Sequence, residues 1–352
     1  MKSTLKLVTV NLAVLAMLVV VVELIFGSWL KGPDYGSLNL PRDVHQVFDV
    51  STLYEGGGTT RYSRDEHGLR GPYDDLSKID ILTIGGSTAN QLYIDDGLTW
   101  QAVMRRLFAA AGEPRTIVDA AVDGQSTRGH IALFDRWFPL IPDLRMTYVL
   151  AYVGINDMAV DEASQWDQME SPEADRRLRY WIMNRSALYN LFRTGRGMFK
   201  AWNAKLVHGA SPHDGRSWEP LHPLAEAPPP PPELEEPLAA YEGRLRVLVD
   251  RIRAWGAEPI LVTQPSAEYR LEDGWVLVSR NADGILESQG YETLAAFNRT
   301  TLRVCREVGA LCLDLAAGVA FEDGDFYDRV HNTPRGAEKV GRFMVEGLRG
   351  RL

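Results

Sequence analysis

A hydroxyl, an imidazole and a carboxylate stand in contexts that suit acyl transfer. Ser87 closes the run Ile-Asp-Ile-Leu-Thr-Ile-Gly-Gly-Ser at residues 79–87, where a β-branched apolar segment breaks on two glycines and delivers a serine. Near the other end, Asp328 and His331 are three residues apart in Asp-Arg-Val-His. A serine hydroxyl is a weak nucleophile at neutral pH and needs a positioned base, usually histidine. The histidine in turn needs an acceptor that fixes its tautomer and stabilises the imidazolium. A three-residue spacing lets one short turn carry both base and orienter. Each piece alone has a plainer reading: Gly-Gly-Ser-Thr as an anion-binding turn or ordinary βα loop, Asp-x-x-His as a surface turn capping the next helix.

Acyl transfer also needs N–H donors aimed at the tetrahedral oxyanion, each worth about 3 kcal/mol of barrier. Two further apolar runs end in suitable residues. Residues 116–122 lead into Asp123-Gly124-Gln125-Ser126, and 148–154 lead into Ile155-Asn156-Asp157. The backbone N–H groups of Ser87 and Gly124 and the side-chain amide of Asn156 are the candidate donors. Glycine at 124 has a steric reason, because no side chain then stands between its N–H and the oxyanion.

In this order the four blocks, Gly-Gly-Ser87, Gly124, Gly-x-Asn156-Asp and Asp328-x-x-His331, resemble the SGNH hydrolase superfamily of GDSL-type esterases and acylhydrolases. The resemblance runs from residue 79 to the C-terminus. It implies a three-layer α/β/α sandwich with a five-stranded parallel sheet of flavodoxin-like kind. It also implies a Ser87–His331–Asp328 triad with an oxyanion hole from Ser87, Gly124 and Asn156. One departure is visible: Gly86 stands where the family usually has aspartate, which removes a hydrogen-bonding group near the nucleophile. The serine context is not Gly-x-Ser-x-Gly and the acid lies just before the histidine, so the α/β-hydrolase fold is disfavoured.

These residues require elements to hold them, and the sequence supplies an alternating series. Strands are expected at 79–84, 116–122, 146–153, 259–263 and 311–315. Helices are expected at 98–111, 127–138, 238–255 and 292–308, with a last one introduced by Pro334 and Gly336. Strands separated by helices of this length make right-handed crossovers and a parallel sheet. Ser87 then sits where a strand meets a helix N-terminus, the end of a parallel sheet at which ligands bind.

Two insertions interrupt the series within the domain spanning 79–352. Residues 158–238 combine a helical, arginine- and aromatic-rich stretch over 176–206, with Trp181, Tyr189, Leu191, Phe192, Phe199 and Trp202, and an exposed proline run from Pro228 to Pro232. This insertion reads as a lid over the pocket or as a docking surface for a protein partner. Residues 266–290 form a second insertion without an assignable role. Gln264, past a strand end, is either a pocket residue or a loop amide. Residues 31–78 read as a linker and β-rich lead-in, with His67 a surface histidine and Arg70 a salt-bridge partner.

Lys2 and Lys6 precede an apolar run from Leu7 to Leu30, long enough to span a bilayer. The lysines favour a cytoplasmic N-terminus and an outer, periplasmic or extracellular, catalytic domain. No small-x-small site follows the run, so residues 1–30 read as a single-pass anchor rather than a cleaved signal, with Glu23 near the outer interface. The net charge of −9 and pI of 5.4 provide no basic surface for nucleic acid. Cys305 and Cys312 either pair, as an oxidising compartment allows, or remain buried thiols. No metal-ligand spacing is present and no cofactor is expected.

The expected chemistry is ester cleavage through an acyl-serine, on an O-acetyl or short acyl group, with an acylated carbohydrate as one substrate class and a lysophospholipid as another. A sugar hydroxyl in place of water would make the same residues an O-acetyltransferase of an extracellular polysaccharide. A non-catalytic membrane-tethered scaffold is the reading from another class.

Overall fold

The computed structural model describes the chain apart from Met1 and residues 31–33, 161–164, 172, 190, 193–215 and 281–284. Its strands are numbered β1 to β10 along the chain. The apolar runs become β3 (Ile79–Gly85), β4 (Ile117–Asp119), β5 (Met146–Tyr152), β7 (Glu258–Val262) and β10 (Leu311–Leu313). They form one sheet in the order β10-β7-β5-β3-β4, every pair parallel. Renumbered within the sheet this is 2-1-3-4-5, and the chain changes direction of winding at β3, between β4 and β5. That is the topological switch point where a ligand crevice opens beyond the strand ends.

Alternate residues of each strand bury on opposite faces, which is why the runs are apolar throughout. Leu82, Val118, Val149 and Leu261 face one layer, packed with the helices Glu235–Ala254 and Gln289–Glu307. Ile81, Ile117, Leu150 and Ile260 face the other, packed with Trp100–Ala110 and Pro334–Leu348. The three-layer sandwich with its five-stranded parallel sheet is thus present.

The helix expected at 127–138 is broken: an α segment Thr127–Ala132 gives way to a π turn at Leu133–Trp137 and a 3-10 turn at Phe138–Leu140. Pro139 lacks the N–H that the α ladder would need there. The lead-in contains an antiparallel pair, β1 (Val44–Asp49) with β2 (Thr59–Arg64). His67 departs from expectation and is buried, its Nδ1 sharing a hydrogen bond with the Tyr35 hydroxyl at 2.6 Å while Trp137 Nε1 donates to its carbonyl. Arg70 pairs with Asp96 at 2.8 Å.

The two insertions meet in a three-stranded sheet of their own. β6 (Trp218–Pro223) from the first pairs antiparallel with β9 (Trp275–Ser279), which pairs with β8 (Tyr269–Glu272) from the second. The β8–β9 turn uses Asp273 and Gly274, both with positive φ, the pairing that two-residue hairpins favour. The described part of the 176–206 stretch is a helix at Ala174–Met183 and a short helical segment after Ser186; Phe199 and Trp202 lie outside the described residues.

The N-terminal helix covers Lys2–Phe26, and its stretch Thr4–Phe26 is long and apolar enough to cross a membrane. Its 23 residues rise about 35 Å, against a hydrocarbon core of about 30 Å. Cys305 and Cys312 are joined in a disulfide, their Cα atoms 5.9 Å apart.

Candidate active site

Ser87 is the first residue of a one-turn helix, Ser87–Asn90, that follows β3 directly. Being first, its backbone N–H has no acceptor within that helix. The Ser87 hydroxyl lies 2.7 Å from His331 Nε2, and His331 Nδ1 lies 2.7 Å from Asp328 Oδ2. With a carboxylate as its partner, Nδ1 carries the hydrogen, so Nε2 presents its lone pair to the serine O–H. The chain of contacts runs in the sense that proton abstraction from serine requires.

The loop holding Asp328 and His331 is fixed from several sides. Asp328 Oδ1 accepts from the backbone N–H of Val330 and of His331. Tyr327 N–H donates to the His331 carbonyl, and the Tyr327 ring stacks on the imidazole with centroids 5.6 Å apart and planes at 10°. Thr333 caps the following helix, accepting from Gly336 N–H, and its own N–H returns to the Asp325 carbonyl. Burial tends to raise the Asp328 pKa. The hydrogen bond from His331, with the two backbone N–H donors, outweighs it and holds the carboxyl below its ordinary value. Asp328 is therefore ionised across the neutral range.

Gly124 follows β4 with φ of +77°, a conformation for which its residue type is suited, and it is exposed. Asn156 sits in the turn after β5, its Nδ2 donating to the Gln125 carbonyl at 2.8 Å. It also lies against the serine elbow: a Cβ built on Gly86 would stand 2.2 Å from Asn156 Nδ2. Glycine before the serine is thus the residue that leaves room for this amide. The next residue, Asp157, is buried and ties the β5 loop to the helix after Gly124, accepting from Thr127 N–H and Oγ1 and from Arg244.

Gln264 is a loop amide past the end of β7, and a firmly held one. It is buried, with Oε1 accepting from Ile155 N–H at 2.7 Å and Nε2 donating to Thr88 Oγ1 at 2.8 Å. Asn298 holds the Gln264 backbone on both sides, at 3.0 and 2.8 Å. One amide therefore links the residue after Ser87 to the residue before Asn156. Its only sequence signal was its place past a strand end. His130, buried beside the Gly85 backbone, was not singled out at all. Burial pushes its pKa down to about 4, with the nearby Asp167 charge opposing, and neither ring nitrogen has a hydrogen-bond partner among the described residues.

Two openings flank the serine region. A cavity of about 370 Å³ is bounded by Tyr62, Arg64, Asn90, Asp123, Tyr180 and Met183. A wider groove of about 860 Å³ runs past Asp328 between Met158, Glu268, Ser279, Gln289 and Thr293. Among the described residues no cluster of histidine, cysteine and carboxylate has the arrangement of a metal site.

No protein-family model and no curated protein matches the chain. Among solved structures it is similar to TesA, at 15% identity and a TM-score of 0.41, covering 78% of this chain and 99% of that one. It is also similar to Axe2, an acetylxylan esterase from Geobacillus stearothermophilus, at 16% identity and a TM-score of 0.43, covering 77% and 94%. A third is LAE5, an alpha/beta hydrolase enzyme from the metagenome of Lake Arreo, Spain, at 16% identity and a TM-score of 0.42, covering 79% and 97%.

Proposed function

We propose that this chain is a serine ester hydrolase of the SGNH kind, held to a membrane by its N-terminal helix with the catalytic domain on the outer side. The observation that carries the proposal is the contact of Ser87 Oγ with His331 Nε2 at 2.7 Å, backed by Asp328. His331 takes the Ser87 proton as Oγ adds to the ester carbonyl carbon. The negative oxygen is met by the N–H groups of Ser87 and Gly124 and the Asn156 amide. The C–O bond to the alcohol then breaks, and the imidazolium returns its proton to the departing alkoxide. Water, deprotonated by the same imidazole, attacks the acyl-serine and releases the acid and the free Ser87 hydroxyl.

The groove beside Asp328 is lined by carboxylate, guanidinium, hydroxyl and amide side chains together with Met158 and Leu286, and the polar share supports an ester carried on a polar body such as a carbohydrate. The same groove would admit a sugar hydroxyl in place of water, which supports transfer of the acyl group as the second reading. The Cys305–Cys312 disulfide and the lysines before the apolar helix support the outer location.

The test is hydrolysis of p-nitrophenyl acetate by the full chain in detergent, compared with Ser87→Ala. We expect the variant to lose at least ~10³-fold in kcat. Equal rates would reject the hydrolase and leave the scaffold reading. An acetyl donor offered together with oligosaccharides then decides the acceptor, since acetylated sugar forms only if transfer competes with water.

A further inference from the structure

The helix Ala174–Met183 has little hold on the core: of its ten residues only Met183 is buried. Leu178, Trp181 and Ile182 follow the i, i+3, i+4 spacing that makes a single stripe, and they are exposed by 58%, 39% and 37%. Leu191 and Phe192, in the segment after Ser186, are exposed too. Isolated apolar residues on a surface are ordinary, but a contiguous group of this kind marks a contact surface.

Where this helix is held identifies what it meets. Glu23, in the last turn of the N-terminal helix, accepts from Ser186 Oγ at 2.7 Å and from the N–H groups of Ala187 at 3.0 Å and Leu188 at 3.2 Å. Its carboxylate also accepts from Trp29 Nε1, and Ser28 N–H donates to the Arg185 carbonyl at 2.9 Å. The Trp29 and Trp181 rings meet edge to face, centroids 5.5 Å apart, and the Arg185 guanidinium lies 4.5 Å over the Trp181 ring. The exposed stripe thus continues from the exposed end of the membrane-type helix, Leu24, Ile25, Phe26 and Leu30.

We infer that Leu178, Trp181 and Ile182 form a second membrane contact, seated in the interfacial layer of the same bilayer that the N-terminal helix crosses. The inference rests on the anchor reading above. Lipid is the occupant that the composition fits. Tryptophan and arginine suit a membrane–water boundary, and Arg177 and Arg179 stand beside the stripe on this helix, while Arg176 is paired with Glu173 at 2.7 Å. Glu23 sets the depth, because its bonds to 186–188 fix the insertion to the point where the spanning helix emerges. Tyr180 and Met183 of this helix also line the cavity beside Asn90 and Asp123, so that cavity lies about one helix diameter, ~10 Å, from the headgroups.

The test uses the full chain in protein-free vesicles of phosphatidylcholine and phosphatidylglycerol, with an environment-sensitive fluorophore on Leu178→Cys, Ile182→Cys, Leu15→Cys or Trp275→Cys. The native cysteines are paired, the unsubstituted chain is the labelling blank, and retained ester hydrolysis reports folding. Labels at 178 and 182 should show blue-shifted emission and several-fold weaker quenching by iodide than the label at 275. Quenching at 178 and 182 equal to that at 275, with 15 protected, would overturn the second contact and leave the anchor standing. Quenching at 15 as well would overturn both. Protection at 178 and 182 seen only in native membranes, and not in vesicles, would give the face to a protein partner and overturn the lipid assignment.

Discussion

Gly86 illustrates how a single missing side chain can set a site. In the resembled family an aspartate usually precedes the nucleophile, yet here any Cβ at that position would collide with the Asn156 amide at 2.2 Å. The amide occupies the place that the longer residue would need. Gly86→Asp should therefore displace Asn156 and cost about 10²–10³-fold in kcat, the loss expected for one oxyanion donor. Adding Asn156→Ala to that variant should cost little more, because both changes remove the same interaction. Steady-state kinetics on p-nitrophenyl acetate measures both. A Gly86→Asp enzyme with wild-type kcat would remove Asn156 from the proposed mechanism.

At the scale of elements, the site depends on loops from four strands and one C-terminal turn keeping fixed spacings. The parallel sheet sets the strand ends side by side, but the loops need their own ties. Gln264, after β7, bridges Thr88 after β3 and Ile155 after β5. Gln264→Leu keeps the volume and removes both bonds, leaving the buried Ile155 N–H without its acceptor, at a cost of about 1–3 kcal/mol. The expected kinetic result is a fall in kcat of up to about 100-fold with KM nearly unchanged, since Gln264 positions other residues and borders neither opening. Denaturant midpoints and initial rates on the same preparation test the two effects. A stability loss without any change in kcat would reduce Gln264 to a packing role.

For the whole molecule, pH acts through groups whose titration differs between folded and unfolded chains. His130 is buried and its pKa is pushed down to about 4 from an ordinary 6.5. Between those values the unfolded chain binds the extra proton, so stability is fully present above about 6.5 and declines as pH falls toward 4. The limit is about 3 kcal/mol for a shift of this size. His130→Gln should flatten this part of the pH dependence, so that the difference in urea midpoint between pH 7 and pH 4.5 shrinks relative to the natural chain. An unchanged pH dependence would mean that His130 is not the group responsible.

How much of this was legible in the chain depends on range. The five apolar runs, their alternation with helices and the glycine-serine break are local patterns, and backbone geometry converts them directly into a parallel sheet with Ser87 at a strand end. The Asp328–His331 bond is local too, because three residues of one turn suffice to make it. The β8–β9 hairpin within 266–290 shows itself only in the fold, where β9 also pairs with β6 from the other insertion. The sequence points to an exposed His67 because nothing near it foretells that Tyr35 and Trp137 close over it. The cysteine pairing stayed open because a helix end and the next strand fit either state, until the fold brought their Cα atoms to 5.9 Å. The 2.7 Å contact between Ser87 and His331 spans 244 residues. Only the tertiary structure could decide it, because strand order and helix packing, not neighbouring side chains, determine which distant loops share one crevice.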